Sequence, residues 1–262
     1  MSLDLSVFFF LLTIAFWQPY LSSLGLPPHI ISFIWLAGPI SGTVIQPYIS
    51  ILSDKSHHPW GRRKPFIFYG TIFTITCMLL LPWTGNIVSA VFCGIEGSHE
   101  GTSAVVMRGV MASVLIWGLN ISVQPVQMGV RALVVDACPL DQQIQAASYA
   151  SCITSIGTVF GYALGFVDLP QLLPWLANTE FKCLSVIASL ALSSTVAVTL
   201  YKIKERKILP NDELRKQGIG IISVSKDVFR NVRLMPDTIK MVCMAQFFSW
   251  MAWFPFLFYI TT

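Results

Sequence analysis

Charge is what this sequence has least of: Asp, Glu, Lys and Arg make up 11% of its 262 residues, against about 25% in an average soluble domain. From Leu5 to Ser53 there is no charged side chain at all. The excess of 17 Lys and Arg over 13 Asp and Glu lies between apolar runs, so it reports topology rather than nucleic-acid binding. CxxC pairs and Cys/His sets with ligand spacing are also missing, which leaves neither a metal nor a cofactor to expect. A multispan membrane enzyme, such as an acyl or prenyl transferase, would need His or Asp-rich motifs clustered at one membrane face. Among the aspartates only Asp136 and Asp141 stand close together, and no ligand set surrounds them. A basic n-region is absent too, because Asp4 opens the chain, so the first apolar run reads as a span rather than a cleaved signal.

What is present is apolar: hydrophobic residues make up 54% and mean hydropathy is +0.66. An all-α integral membrane protein is the expectation, its partner the lipid bilayer. Spans are expected at about residues 5–24, 30–53, 66–86, 109–131, 146–167, 181–201 and 241–262. Residues 25–29 break the first two, and a loop with Glu96, His99, Glu100 and Arg108 follows the third. Gly157, Gly161 and Gly165 form two overlapping GxxxG patterns in the fifth, a packing signal. Residues 202–240 read as a basic linker between membrane halves, and the chain stops soon afterwards. The organisation is thus a six-span half (1–201), a central cytoplasmic loop (202–240) and a truncated start of a second half (241–262). With the N-terminus in the cytoplasm, the loops after spans two, four and six hold 15 of the 17 Lys and Arg, leaving only Arg108 and Lys182 outside. Six cysteines, most of them in apolar runs, read as buried free thiols, with a Cys93–Cys183 bridge as the other reading. His57 and His58 read as solvated.

Four polar residues interrupt the fourth span: Asn120, Gln124, Gln127 and Arg131, spaced i, i+4, i+7 and i+11. At 3.6 residues per turn the later three fall within about 40° of Asn120. The stripe runs for roughly 16 Å, about half the hydrocarbon thickness, and points to a polar cavity or ion pathway. Pro125 frees the Ile121 carbonyl beside it. Interhelical polar packing is the competing reading, and Arg131 near the helix end can also snorkel to the interface.

The turn after the second span reads Asp54, Lys55, then Gly61, Arg62, Arg63 and Lys64. Positive-inside anchoring explains its cations, but neither the acid at the helix end nor the glycine. A gate explains both: a carboxylate pairs with guanidinium groups and holds helix ends together in one conformation. Trp17, Tyr20, Trp35, Trp117, Trp250 and Trp253 could stack on a sugar ring or serve as belt and core.

Residues Gly25 to Phe66, including Trp35, Gly38 to Gly42, Gln46, Pro47, Ser53, Asp54, Gly61 to Lys64 and Pro65, resemble the sucrose/proton symporters of plants and their fungal and animal relatives. These belong to the major facilitator superfamily. Gln127, Arg131 to Leu133 and Asp136 are similar to that family's fourth span, and Gln246 to Phe248, Trp250, Met251 and Trp253 to Phe256 to its seventh. The resemblance, which points to a fungal member, implies the N-terminal six-helix bundle of that superfamily plus a seventh helix, with a second half to come. It implies alternating access to a sugar such as sucrose or another glucoside, a proton as coupling ion, and the plasma membrane in preference to the vacuolar one. Asp54, Arg62, Arg63 and Asp136 would form the cytoplasmic gate, and Asn120, Gln124, Gln127 and Arg131 the substrate or ion pathway. One departure bears on coupling: Asn120 stands where the plant symporters carry an acid, and an amide does not take up a proton near neutral pH. Sugar uniport, or a half that does not itself transport, therefore stay open beside symport.

Overall fold

A computed structural model describes residues 20–24, 27–54, 56, 58–93, 102–139, 141–164, 167, 169–172, 178–203, 230 and 233–260. Among these the only regular secondary structure is helical. Lipid offers no hydrogen bonds, so an apolar stretch that crosses a bilayer satisfies its backbone within itself, and a helix does this. Four described stretches are long and apolar enough to cross: Ile30–Asp54, Lys64–Val91, Ala104–Ala137 and Glu180–Lys202. They coincide with the expected second, third, fourth and sixth spans. The expected fifth appears as the helix Gln143–Leu164, and the seventh as Asp237–Ile260. The first span is described only at residues 20–24, helical over 20–23, and residues 204–229 of the expected central loop lie outside the described residues.

The chain divides into two compact units, Met1–Leu209 and Pro210–Thr262. In the second, the helix Asp237–Ile260 has Asp237 in its first turn, paired with Lys240 at 3.2 Å. A carboxylate suits that end because the helix dipole is positive there.

Within the first unit the second, third, fourth and sixth spans build the core. One apolar cluster holds Ile31, Ile34, Met78, Leu81, Ile116, Leu119 and Leu184; a second holds Ile67, Val126, Val130, Leu133, Leu192 and Val196. Gly70 of the third span meets the fourth span at Pro125. A Cβ there would lie 2.9 Å from Pro125 Cγ and 3.1 Å from the Ser122 carbonyl oxygen, so only glycine fits this approach. One turn on, Thr74 Oγ1 donates to Ser122 Oγ at 2.9 Å, a polar tie between two lipid-embedded helices.

Several expectations are corrected. The third helix runs from Lys64 to Cys93 and the fourth from Thr102 to Ala137, both beyond the expected ends, because their polar terminal residues find partners on neighbouring helices. Arg108 is therefore helical rather than in a loop, and donates to Ser89 Oγ at 2.9 Å. Asp136 lies inside the fourth helix, not beyond it. Cys152 and Cys243 are exposed rather than buried, since each falls on an uncovered helix face; Cys77 and Cys183 are buried as expected. Cys93 stands at a helix end whose side chain is outside the described set, as is Gly165 of the GxxxG pattern.

The two basic residues expected outside sit at the same end of the third span. Arg108 bonds Ser89, while Lys182 Nζ donates to Asn86 Oδ1 at 3.2 Å and lies 5.4 Å from the Trp83 ring centroid. Ser89 is 25 residues beyond Lys64, about 38 Å along a helix, so these cations and the Gly61–Lys64 turn stand at opposite ends.

Candidate gate and polar stripe

The turn after the second span gathers three helix ends. Gly61 has φ 126°, a conformation open to glycine and strained for other residues, and its N–H donates to the His58 carbonyl at 3.0 Å. This reversal aims Arg62 and Arg63 back across the bundle. Arg63 Nε donates to Asp136 Oδ2 at 2.7 Å and Arg62 Nη2 reaches the same oxygen at 3.1 Å. Both also face Asp54: Arg63 Nη2 lies 3.2 Å and Arg62 Nη1 3.7 Å from its Oδ1. The expected gate residues are thus all in one cluster, two cations between two anions.

Their shares differ. Arg63 is the most enclosed, with 10% of its side chain exposed, against 28% for Asp136 and 42% for Asp54. Exposed ion pairs contribute little, whereas charge-assisted hydrogen bonds shielded from water are the strong ones. Asp136 therefore holds the cluster more tightly than Asp54. Supporting bonds fix the frame: Ser53 Oγ donates to the Arg62 carbonyl at 3.4 Å, and Gln143 Nε2 reaches the carbonyls of Val135 and Cys138 at 3.3 and 3.4 Å. Lys64 adds a tie the sequence did not announce. Its Nζ donates to the Leu200 carbonyl at 2.9 Å, in the last turn of the sixth span, where a cation complements the negative end of the helix.

The polar stripe does not meet one environment. Asn120 is buried, its Nδ2 donating to the Ile116 carbonyl at 2.9 Å, and its Oδ1 lies beside Gly38 of the second span. Gln124 is buried and donates from Nε2 to Ser41 Oγ at 3.2 Å. Gln127 is half-buried and Arg131 is exposed, with no ion pair among the described residues. The first two therefore pack against the second span, and the last two are left partly or wholly uncovered within this unit.

That span is irregular where the stripe meets it. Helices Pro28–Trp35 and Ala37–Ile40 lead into a π-turn over Ser41–Ile45, and an α-helix resumes at Gln46 and runs to Asp54. Pro39 and Pro47 bracket the turn, each removing a backbone donor. Of the aromatic residues, Tyr20 and Trp117 serve packing: Tyr20 stacks on Phe181 at 5.0 Å and donates to the Leu81 carbonyl at 3.0 Å, and Trp117 stacks on Phe33 at 5.7 Å. Trp35 Nε1 is buried with no hydrogen-bond partner among the described residues, and Trp250 is exposed.

Bent apolar helices long enough to cross a bilayer, with an ion-pair cluster gathered at one end of them, define a multi-pass helical membrane protein. Residues 4–261 match the family described as MFS/sugar transport protein, and the chain belongs to it. It is 35% identical over 247 residues to the general alpha-glucoside permease of Schizosaccharomyces pombe, covering 93% of this chain and 43% of that protein. Identity to sucrose transport protein SUT1 of Oryza sativa subsp. japonica is 29% over 265 residues, 93% of this chain and 47% of the relative. For sucrose transport protein SUT3 of Oryza sativa subsp. indica it is 27% over 257 residues, 93% and 49%. The chain spans under half the length of these curated relatives.

Proposed function

We propose that the protein carries sucrose or a related glucoside across a membrane by alternating access. The observation that carries this reading is the Arg62–Arg63–Asp54–Asp136 cluster in a chain of the MFS/sugar transport family. A cluster that joins the ends of separate helices is the kind of contact that exists in one conformation and breaks in another. The names of the relatives, an alpha-glucoside permease and sucrose transport proteins, support the substrate class. On this reading residues 1–201 are the first six-span half, 202–240 the central cytoplasmic loop, and 241–262 the start of a second half that the additional length of the relatives would accommodate. The gate faces the cytoplasm, Gln127 and Arg131 line the path, and the plasma membrane is the site of action.

Expression of the full-length protein in cells that have no sucrose carrier tests this. Saturable uptake of radiolabelled sucrose or maltose is the expected result, and uptake no greater than in empty-vector cells would overturn it.

Coupling has two readings. Symport with a proton follows from the family resemblance. Uniport is favoured by Asn120, whose buried amide is bonded to its own helix and offers no carboxylate at that depth. Protonophore treatment separates them: collapse of accumulation supports symport, and uptake that only equilibrates, unaffected by protonophore, supports uniport. Under uniport, Asn120→Asp should introduce a pH dependence that the parent lacks.

A further inference from the structure

Gln124 belongs to the polar stripe, yet its carboxamide is spent on another helix. Its Nε2 donates to Ser41 Oγ, and that hydroxyl donates to the Gly38 carbonyl at 3.0 Å. Ser41 is 1% exposed and Gln124 7%, so neither faces open water. Ser41 is also the first residue of the π-turn. The fourth span therefore holds the second at the point where the helical register changes.

A π-turn is an α-helix with one residue too many in a turn, and such turns are kept where a partner or a function holds them. Three further features mark this one as deformable. Gly42 lies within it with open space around its Cβ position, so packing in this half does not demand glycine there. Helix interiors disfavour glycine by about 1 kcal/mol relative to alanine. Pro39 and Pro47 remove donors on either side, and Thr43 Oγ1 turns back to the Pro39 carbonyl at 2.7 Å. Return to α register would turn the following segment by about 100° and shift it by about 1.5 Å. That segment is Gln46–Asp54, and it ends on the carboxylate that faces Arg62 and Arg63.

We propose that the Gln124–Ser41 bond is a latch on this π-turn, and that Gln124 is a positioning residue coupling the stripe to the gate rather than a ligand of the sugar. With the latch made, the π register is held and Asp54 points at the arginines. Release of the latch lets the register change, and Asp54 leaves the cluster. Asn120 supports the same contact one turn away, its Oδ1 against Gly38. This inference rests on the transport reading above.

The test is a double-mutant cycle in the full-length protein, with sucrose uptake as the readout. Gln124→Leu and Ser41→Ala should each lower Vmax by about fivefold, the factor one net hydrogen bond is worth, while KM stays within about twofold of the parent. The double variant should be no worse than either single one, because both remove the same bond. A second readout follows the gate: labelling of a cysteine placed at Ser56 by an impermeant thiol reagent, scored over the parent's own thiols, should change rate in Gln124→Leu. A rise in KM with Vmax kept would make Gln124 a sugar ligand and overturn the proposal. So would losses that multiply in the double variant, or Ser56 labelling identical to the parent's. A variant absent from the membrane fraction is replaced by Gln124→Met, which keeps length and drops the donor, and the same outcomes decide. If the parent itself transports no sugar, it is the transport reading that fails, and Ser56 labelling alone then decides the latch.

Discussion

Removal of Asp136 should weaken the proposed gate more than removal of Asp54, although the turn sequence draws attention to Asp54. Asp136 Oδ2 takes both guanidinium groups, at 2.7 and 3.1 Å, whereas the Asp54 contacts are 3.2 and 3.7 Å and its side chain is 42% exposed. Hydrogen bonds to charged groups are worth about 1.5–3 kcal/mol when shielded, and exposed pairs about 0–1 kcal/mol. Asp136→Asn keeps the shape and removes the charge. With partial exposure discounted, it should cost the closed conformation about 2 kcal/mol, a shift of roughly thirtyfold in the balance between conformations. Asp54→Asn should cost about 0.5 kcal/mol, roughly twofold. The assay is the rate of labelling at a cysteine placed at Ser56 in the full-length protein, with equal membrane abundance established first. Labelling that rises further in Asp136→Asn than in Asp54→Asn is the expected order. The reverse order, or equal changes, would refute the weighting by burial and distance.

Three other outcomes follow from the packing. Gly70→Ala should lower thermal stability in detergent by about 1–3 kcal/mol, because its Cβ would press on Pro125 and the Ser122 carbonyl, while Gly85→Ala, with open space around it, should change stability little. Thr74→Val should cost about 0.6 kcal/mol in the same measurement, the mean for a polar contact between membrane helices; a loss as large as that of Gly70→Ala would mean that the Thr74–Ser122 bond holds more than this. Lys64→Met should free the end of the sixth span at Leu200, read as faster proteolysis after residue 203, with unchanged cleavage counting against the cap.

The two candidate sites differed in how far residue order alone exposed them, and the reason is chemical. Charges in an apolar chain are scarce, so Asp54, Arg62 and Arg63 stand out together in one turn, because ionic groups at membrane helix ends have few partners but one another, whereas Asp136 joined them only through the family resemblance. The spans were legible because lipid demands long apolar helices, and the third, fourth and sixth kept their places with longer ends. An amide carries no such signal. Gln124 and Gln127 share one face of the fourth span, yet one is buried on Ser41 and the other half-buried, and the difference depends on which helix stands opposite. Periodicity gives a face but not its neighbour.

The π-turn shows the same limit from the other side. Pro39, Gly42 and Pro47 put two missing donors and a flexible residue within nine positions, which a regular ladder does not accommodate. They did not announce which irregular register would form. That choice needs a partner at Ser41, and the partner is 83 residues away on the fourth span. Lys64 likewise reads as one more cation of a basic turn until the Leu200 carbonyl, 136 residues on, stands against it. The turn from Gly61 to Lys64 thus ties the ends of the second, fourth and sixth spans at once, so any motion that separates one of them must break a charged contact with Arg62, Arg63 or Lys64. The ties are divided among the turn's cations: loss of Arg63 alone should loosen the second and fourth spans together, while loss of Lys64 should release only the sixth.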